Sequence, residues 1–116
     1  MTDNKSEIEK IYYSAARIAA AISSIDGEIA EDELTVITHG LVNLGVPTDI
    51  VIDVFNNIEN LIDHIASDIQ FIAGKDTSLQ NYLFEMGKEV VLADGNIDES
   101  EMTILSLMAE AWDIDL

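Results

Sequence analysis

Two stretches of this chain set its architecture: IDGEIAEDEL at residues 25–34 and ADGNIDESEM at residues 93–102. When Asp26 is laid over Asp94, both stretches read Asp-Gly-x-Ile-x-Glu-x-Glu. Residues on either side also agree in character when the two copies are aligned. Ala15, Ile18, Ala19, Ile22, Leu34, Ile37, Leu41 and Leu44 align with Leu83, Met86, Gly87, Val90, Met102, Leu105, Ala109 and Trp112. Because these runs have a helical period, we predict a helix–loop–helix unit that occurs twice.

Apolar residues recur every three or four positions through almost the whole chain, and strand alternation is absent from the sequence. Capping patterns and breaks predict helix starts at Ser6, Thr48, Thr77 and Asp98, and a break near Asn60 within residues 48–73. The sequence therefore predicts an all-α fold, a compact bundle of about six helices. We expect residues 1–5 to be disordered and residues 6–116 to form a single domain.

The composition restricts the partners of this chain. Its 23 Asp and Glu against five Lys and Arg give a formal net charge of −18, although 48% of the residues are hydrophobic. Nucleic acids and anionic lipid surfaces are excluded as partners because both are bound through basic residues. A chain this acidic attracts metal cations or a basic protein partner.

The sequence also restricts the kind of site and the cellular location. The absence of cysteine excludes disulfides, thiolate zinc sites and cysteine nucleophiles. No apolar run reaches the roughly 20 residues that a membrane-spanning helix needs, and the polar first residues do not resemble a signal peptide. We therefore expect a cytoplasmic protein with no direct membrane insertion.

The repeated loop has a purely structural interpretation as helix punctuation. Gly95 fits the end of one helix, Asp98 fits the N-cap of the next, and Glu101 completes a capping box three residues later. Under this alternative the protein is an interaction module, and Trp112 with the apolar surface of the last helix favours a homodimer.

The first copy of the loop favours a cation site instead. Ala30 occupies its N-cap position and has no side-chain acceptor, yet Asp26 and Glu33 are both present. Carboxylates at these positions, and at Asp94 and Glu101, can converge across a tight loop on a divalent cation such as Ca²⁺, Mg²⁺, Mn²⁺ or Zn²⁺. We therefore predict Asp26, Glu33, Asp94 and Glu101 as metal ligands.

An EF-hand-like calcium loop is a third alternative. The Asp-Gly pair, the Ile and the last Glu occupy the spacing of EF-hand positions five, six, eight and twelve. Positions one and three, however, are Ile22 and Ser24 in the first copy and Val90 and Leu92 in the second. A high-affinity EF-hand site is therefore not expected.

The two loops, residues 24–33 and 92–101, resemble the signature loops of the TerB family of tellurite-resistance and TerB-like domains. The resemblance extends from about Ser6 to Trp112 and implies an all-helical domain with an internal repeat. It also implies metal binding by the same four loop carboxylates, a role in bacterial stress response, and a link to a membrane-associated complex on its cytoplasmic side. Ala30 departs from the polar residue often found there in the family.

Catalytic motifs are missing from the sequence. The histidines, His39 and His64, do not form a His-Glu-x-x-His helix, and there is no nucleophile elbow or phosphate-binding glycine loop. His64 lies one helical turn before Asp68, and we interpret it as a surface histidine with an acidic neighbour rather than a metal ligand. Hydrolysis by the paired loop carboxylates is the remaining enzymatic alternative, and we expect a protein that is not an enzyme.

Overall fold

The computed structural model describes residues 4–24, 31–57, 61–92 and 99–114, with all their side chains except those of residues 4–6, 32, 33 and 61–63. These residues form six helices and no strand, which confirms the all-α prediction. The helices are α1 (Asn4–Ser24), α2 (Glu31–Leu44), α3 (Thr48–Phe55), α4 (Leu61–Ala73), α5 (Thr77–Leu92) and α6 (Glu99–Trp112). No helix of this described part is long and apolar enough to cross a membrane.

The first helix starts earlier than predicted. It begins at Asn4 rather than at Ser6, so residues 4 and 5, which we expected to be disordered, are helical. Because polar residues tolerate an exposed first turn, a capping pattern does not fix a boundary to the residue. Residues 1–3 lie outside the described part of the chain.

The turn between α2 and α3 shows how Gly45 and Pro47 separate two helices. Gly45 has a φ of +107°, a left-handed conformation, and the Val46 N–H donates to the Leu41 carbonyl at 2.9 Å. Pro47 then holds the N-cap position with an extended backbone and without a side-chain cap. The predicted helix start at Thr48 is confirmed, but Thr48 is the first residue of α3 and not its cap, because Pro47 holds the N-cap position.

Residues 48–73 form two helices, as predicted, because α3 ends at Phe55 and α4 begins at Leu61.

The junction between α4 and α5 shows which residue caps α5. The Ser78 N–H donates to Asp76 Oδ1 at 2.9 Å, so Asp76 caps α5 and Thr77 is its first residue. Gln80 is buried and its amide donates to the carbonyls of Ile72, Ala73 and Lys75 at the end of α4.

Helix α1 is the centre of the bundle and packs against all five other helices. Its middle is lined by small and branched apolar residues that are almost completely buried: Ala15, Ala16, Ile18, Ala19, Ala20, Ala21 and Ile22. One of the predicted apolar positions, Leu34 near the start of α2, is 40% exposed. Trp112 belongs to the core, and its indole N–H donates to the Ile69 carbonyl at 2.9 Å. This burial removes Trp112 from any surface for self-association.

Candidate functional site

The predicted metal ligands fall mostly outside the described residues. Asp26 and Asp94 lie in the ranges 25–30 and 93–98, and the side chain of Glu33 is also outside the described part. Glu101 is described and lies in the first turn of α6, where it is 1% exposed. The pairing of these carboxylates, the Asp98 cap and the duplication of the loops therefore stay predictions.

The helices that flank both loops meet at one end of the bundle. At the other end, Lys75, just before α5, pairs with Glu7 in α1 at 2.9 Å. Fifteen residues later in α1, the Ile22 methyl lies 3.1 Å from where a Cβ on Gly87 of α5 would be. Helices α1 and α5 therefore run in the same direction, and Ser24 and Leu92, their last residues, lie at the same end.

The helices that follow the loops start at that end as well. Gly45, just after α2, lies beside the Tyr12 hydroxyl in the first half of α1, so α2 runs antiparallel to α1. Helix α6 follows α5 after only residues 93–98 of the sequence, so its start lies within reach of the same end, and Leu105 of α6 packs beside Gly87 of α5. We call this end, defined by the flanking residues Ser24, Glu31, Leu92 and Glu99, the acidic end. Residues 26–33 and 94–101, the acidic stretches next to these flanking residues in the sequence, hold nine carboxylates and no Lys or Arg.

Glu101 is one of two buried carboxylates in the described ranges, the other being Asp68. Burying a carboxylate costs free energy unless it gains hydrogen bonds or a compensating charge. The first turn of a helix supplies both, through backbone N–H groups and the positive end of the helix dipole. The position of Glu101 therefore suits a capping carboxylate as well as a ligand.

No metal cluster is formed by the residues that are described. Among them, no group of three His, Asp or Glu lies close enough together to hold a metal ion. That set excludes Asp26, Asp94 and the Glu33 side chain.

A polar network between α1 and α4 was missed by the sequence analysis. Asp68 accepts hydrogen bonds from Arg17 Nε at 2.9 Å, Arg17 Nη2 at 2.8 Å and the Ser14 hydroxyl at 3.1 Å. These bonds raise the pKa of the Arg17 guanidinium. His64 is exposed, as predicted, while Asp68 faces the interior. The one signal in the sequence is that Arg17 is the only arginine and interrupts an alanine-rich apolar run.

Two of the grooves on the described surface of the bundle lie between pairs of helices. The α1–α4 groove, of about 570 Å³, is lined by Lys10, Tyr13, Ser14, Arg17, Asp68 and Phe71. The α2–α5 groove, of about 430 Å³, is lined by Thr35, His39 and Asn43 from α2 and by Tyr82, Glu85 and Glu89 from α5. In the first groove Arg17 and Ser14 bind Asp68, and the Tyr13 hydroxyl donates to Asp53 at 2.9 Å. Glu9 and Lys10, which also line this groove, are exposed.

The similarity to known proteins agrees with this architecture. The family model described as "Tellurite resistance protein TerB" matches residues 13–115, which is nearly the whole chain. A crystal structure described as a protein of unknown function from Porphyromonas gingivalis W83 has a TM-score of 0.69 and 18% sequence identity. The match covers 93% of this chain and 86% of the other, and it shows a shared fold. No curated protein matches the sequence.

Proposed function

Because this chain belongs to the TerB family, it is a tellurite-resistance-type helical domain, and we propose that it binds a divalent cation at its acidic end. The proposed ligands are Asp26, Glu33, Asp94 and Glu101. The domain acts without catalysis, in stress response, and the bound cation sets how its acidic end meets a basic protein partner.

The observation that supports the proposal is the common direction of α1 and α5. It brings the ends of these helices, Ser24 and Leu92, to the end of the bundle where α2 and α6 begin. Both acidic stretches are therefore tethered to one end, and hard cations such as Ca²⁺ and Mg²⁺ require several oxygen ligands from such stretches. Mutual repulsion of these carboxylates is relieved when a divalent cation binds.

The test is calorimetric titration with Ca²⁺, Mg²⁺, Mn²⁺ and Zn²⁺, one ion at a time. We expect saturable heat for at least one ion in the unchanged protein, and its loss in Asp26→Asn/Glu33→Gln and in Asp94→Asn. A matched control, Asp49→Asn/Glu110→Gln, removes two exposed carboxylates from α3 and α6 and should bind as the unchanged protein does. Equal heats in all four proteins contradict the proposal.

A second function is favoured by the burial of Glu101 in the first turn of α6. In this alternative the loop carboxylates are helix caps and the domain is a structural interaction module. Losing one capping interaction costs about 1 kcal/mol. Glu101→Gln is then expected to lower the free energy of unfolding by about that amount, equally with and without metal ions. A loss that appears only in the presence of the bound ion would instead support the cation site.

A further inference from the structure

The floor of the α2–α5 groove is formed where Gly40 of α2 packs against side chains of α5. Gly40 of α2 packs against Met86 of α5 so tightly that a Cβ on this glycine would overlap the Met86 sulfur. The Tyr82 hydroxyl donates a hydrogen bond of 2.6 Å to the Gly40 carbonyl. These contacts fix an apolar floor with an aromatic ring at one side, and the groove above it has a volume of about 430 Å³.

The rim of this groove is acidic. Glu85 and Glu89 are one helical turn apart on α5 and both are exposed. Glu85 contacts Lys88 at 3.1 Å, an exposed pair of the kind that contributes little to stability. Glu89 makes no ion pair with any residue in the described ranges. His39 and Asn43 complete the rim from α2, and none of the residues that line the groove is a Lys or Arg.

The charge and size of the groove indicate which class of ligand it can bind. The field of a chain with a net charge of −18 repels anions from this rim and attracts cations. A metal ion does not fit, because His39, Glu85 and Glu89 are not among any group of three ligands close enough to hold one. The groove is also far larger than a single ion requires. An organic cation on a long apolar stem suits both its floor and its rim.

We infer that the α2–α5 groove is a docking site for an arginine- or lysine-bearing segment of a partner protein. The aliphatic stem of the basic side chain lies on Met86 and Tyr82, and its charged head group bonds Glu85 and Glu89. Such charge-assisted bonds are stronger than neutral ones, and a guanidinium can engage two carboxylate oxygens together. This groove begins about one helical turn from the acidic end and runs along the sides of α2 and α5, and none of its lining residues is a proposed cation ligand.

The experiment is a titration of the ¹⁵N-labelled protein with an acetylated and amidated tetra-arginine peptide at 0.15 M salt. We expect saturable amide shifts within residues 35–43 and 82–89. Glu85→Gln/Glu89→Gln should raise the dissociation constant of the peptide at least about fivefold, as expected from the loss of two exposed charge pairs. Thr35→Trp, which fills the groove without a change of charge, should raise the dissociation constant of the peptide by a comparable factor.

Two controls separate this site from general attraction and from the acidic end. Asp49→Asn/Glu110→Gln removes the same charge from exposed positions on α3 and α6 and should change affinity less than about twofold. Asp26→Asn/Glu33→Gln, which tests the proposed cation site, should also bind the peptide normally. Equal weakening by every charge-removing variant, normal binding by Thr35→Trp, or shifts confined to residues 99–102 would each overturn the inference.

Discussion

Two grooves on the described surface of the bundle differ in what their polar groups do. In the α1–α4 groove a buried aspartate, Asp68, accepts three hydrogen bonds from Arg17 and Ser14 and ties the two helices together. In the α2–α5 groove the Gly40 backbone packs against the side chains of Met86 and Tyr82, and Glu85 and Glu89 are exposed. The buried charge of the first groove is thus bonded within the protein, whereas Glu85 and Glu89 of the second groove are exposed to a partner.

This difference separates stability from recognition. A charge that is already bonded inside the protein has little left to offer a partner, and removing its counterpart leaves an uncompensated charge near the core. An exposed carboxylate keeps its hydration until a partner arrives and contributes little to folding. Mutations in the first groove should therefore affect unfolding, and those in the second should affect binding.

The largest expected effect comes from Asp68→Ala. It deprives Arg17 and Ser14 of their acceptor, and breaking a buried pair costs about 3–5 kcal/mol. Because the Arg17 side chain is 33% exposed and can regain water, we expect a loss of about 2–3 kcal/mol in the free energy of unfolding. Urea denaturation measures it, and Glu89→Ala from the other groove should change stability by less than about 0.5 kcal/mol.

A double variant sharpens the interpretation of that loss. Replacing both charges with apolar groups of similar size, as in Arg17→Met/Asp68→Leu, should recover most of the stability, because no charge is left unpaired. If Asp68→Ala alone is as stable as the unchanged protein, the contrast between the grooves fails.

The sequence predicted the helices better than their polar contacts. Apolar periodicity is local, so it gave six helices and the core positions Ile18, Ile37 and Leu105, which are buried. It failed at Leu34, because whether a helix end is covered depends on its neighbours rather than on its own pattern.

Polar contacts across the bundle have no local pattern at all. The hydrogen bonds between Arg17 and Asp68 join residues 51 positions apart, and no sequence pattern near either residue predicts that they are in contact. Helix caps are also hard to assign from sequence. Asp76 and Thr77 are adjacent and either residue type can cap a helix. Only the hydrogen bond that Asp76 accepts from the Ser78 N–H identifies Asp76 as the cap of α5. The candidate cation site was predictable as a motif, whereas the common direction of α1 and α5 was not.

A smaller effect is expected from Gly40→Ala, which tests how tightly the floor of the α2–α5 groove is packed. The new methyl overlaps the Met86 side chain, and overpacking costs about 1–3 kcal/mol. Alanine recovers about 1 kcal/mol because it favours helix over glycine. The net loss in the free energy of unfolding should be about 1 kcal/mol by urea denaturation. A gain in stability would show that Met86 moves aside freely and that the floor is not fixed.

The smallest effect concerns the ionisation of Tyr82. Burial, and then the charge of Glu89, raise the pKa of its phenol above the ordinary value of about 10. A raised pKa in the folded state means that the contribution to stability is fully present below about pH 10 and is lost as the pH rises through the folded value. Glu89→Gln removes the lesser cause, so the pKa of Tyr82 should fall but stay above its ordinary value.

Tyr13 is the internal control for that titration, followed for each ring by ¹³C chemical shift. Its pKa is raised chiefly by the hydrogen bond to Asp53 in the region of the other groove, so Glu89→Gln should leave it unchanged. A pKa of Tyr82 that does not respond to Glu89→Gln would mean that the Glu89 charge is too well hydrated to act across the groove. A partner's cation would then gain little from that carboxylate, and Glu85 would have to hold it alone against competition from Lys88.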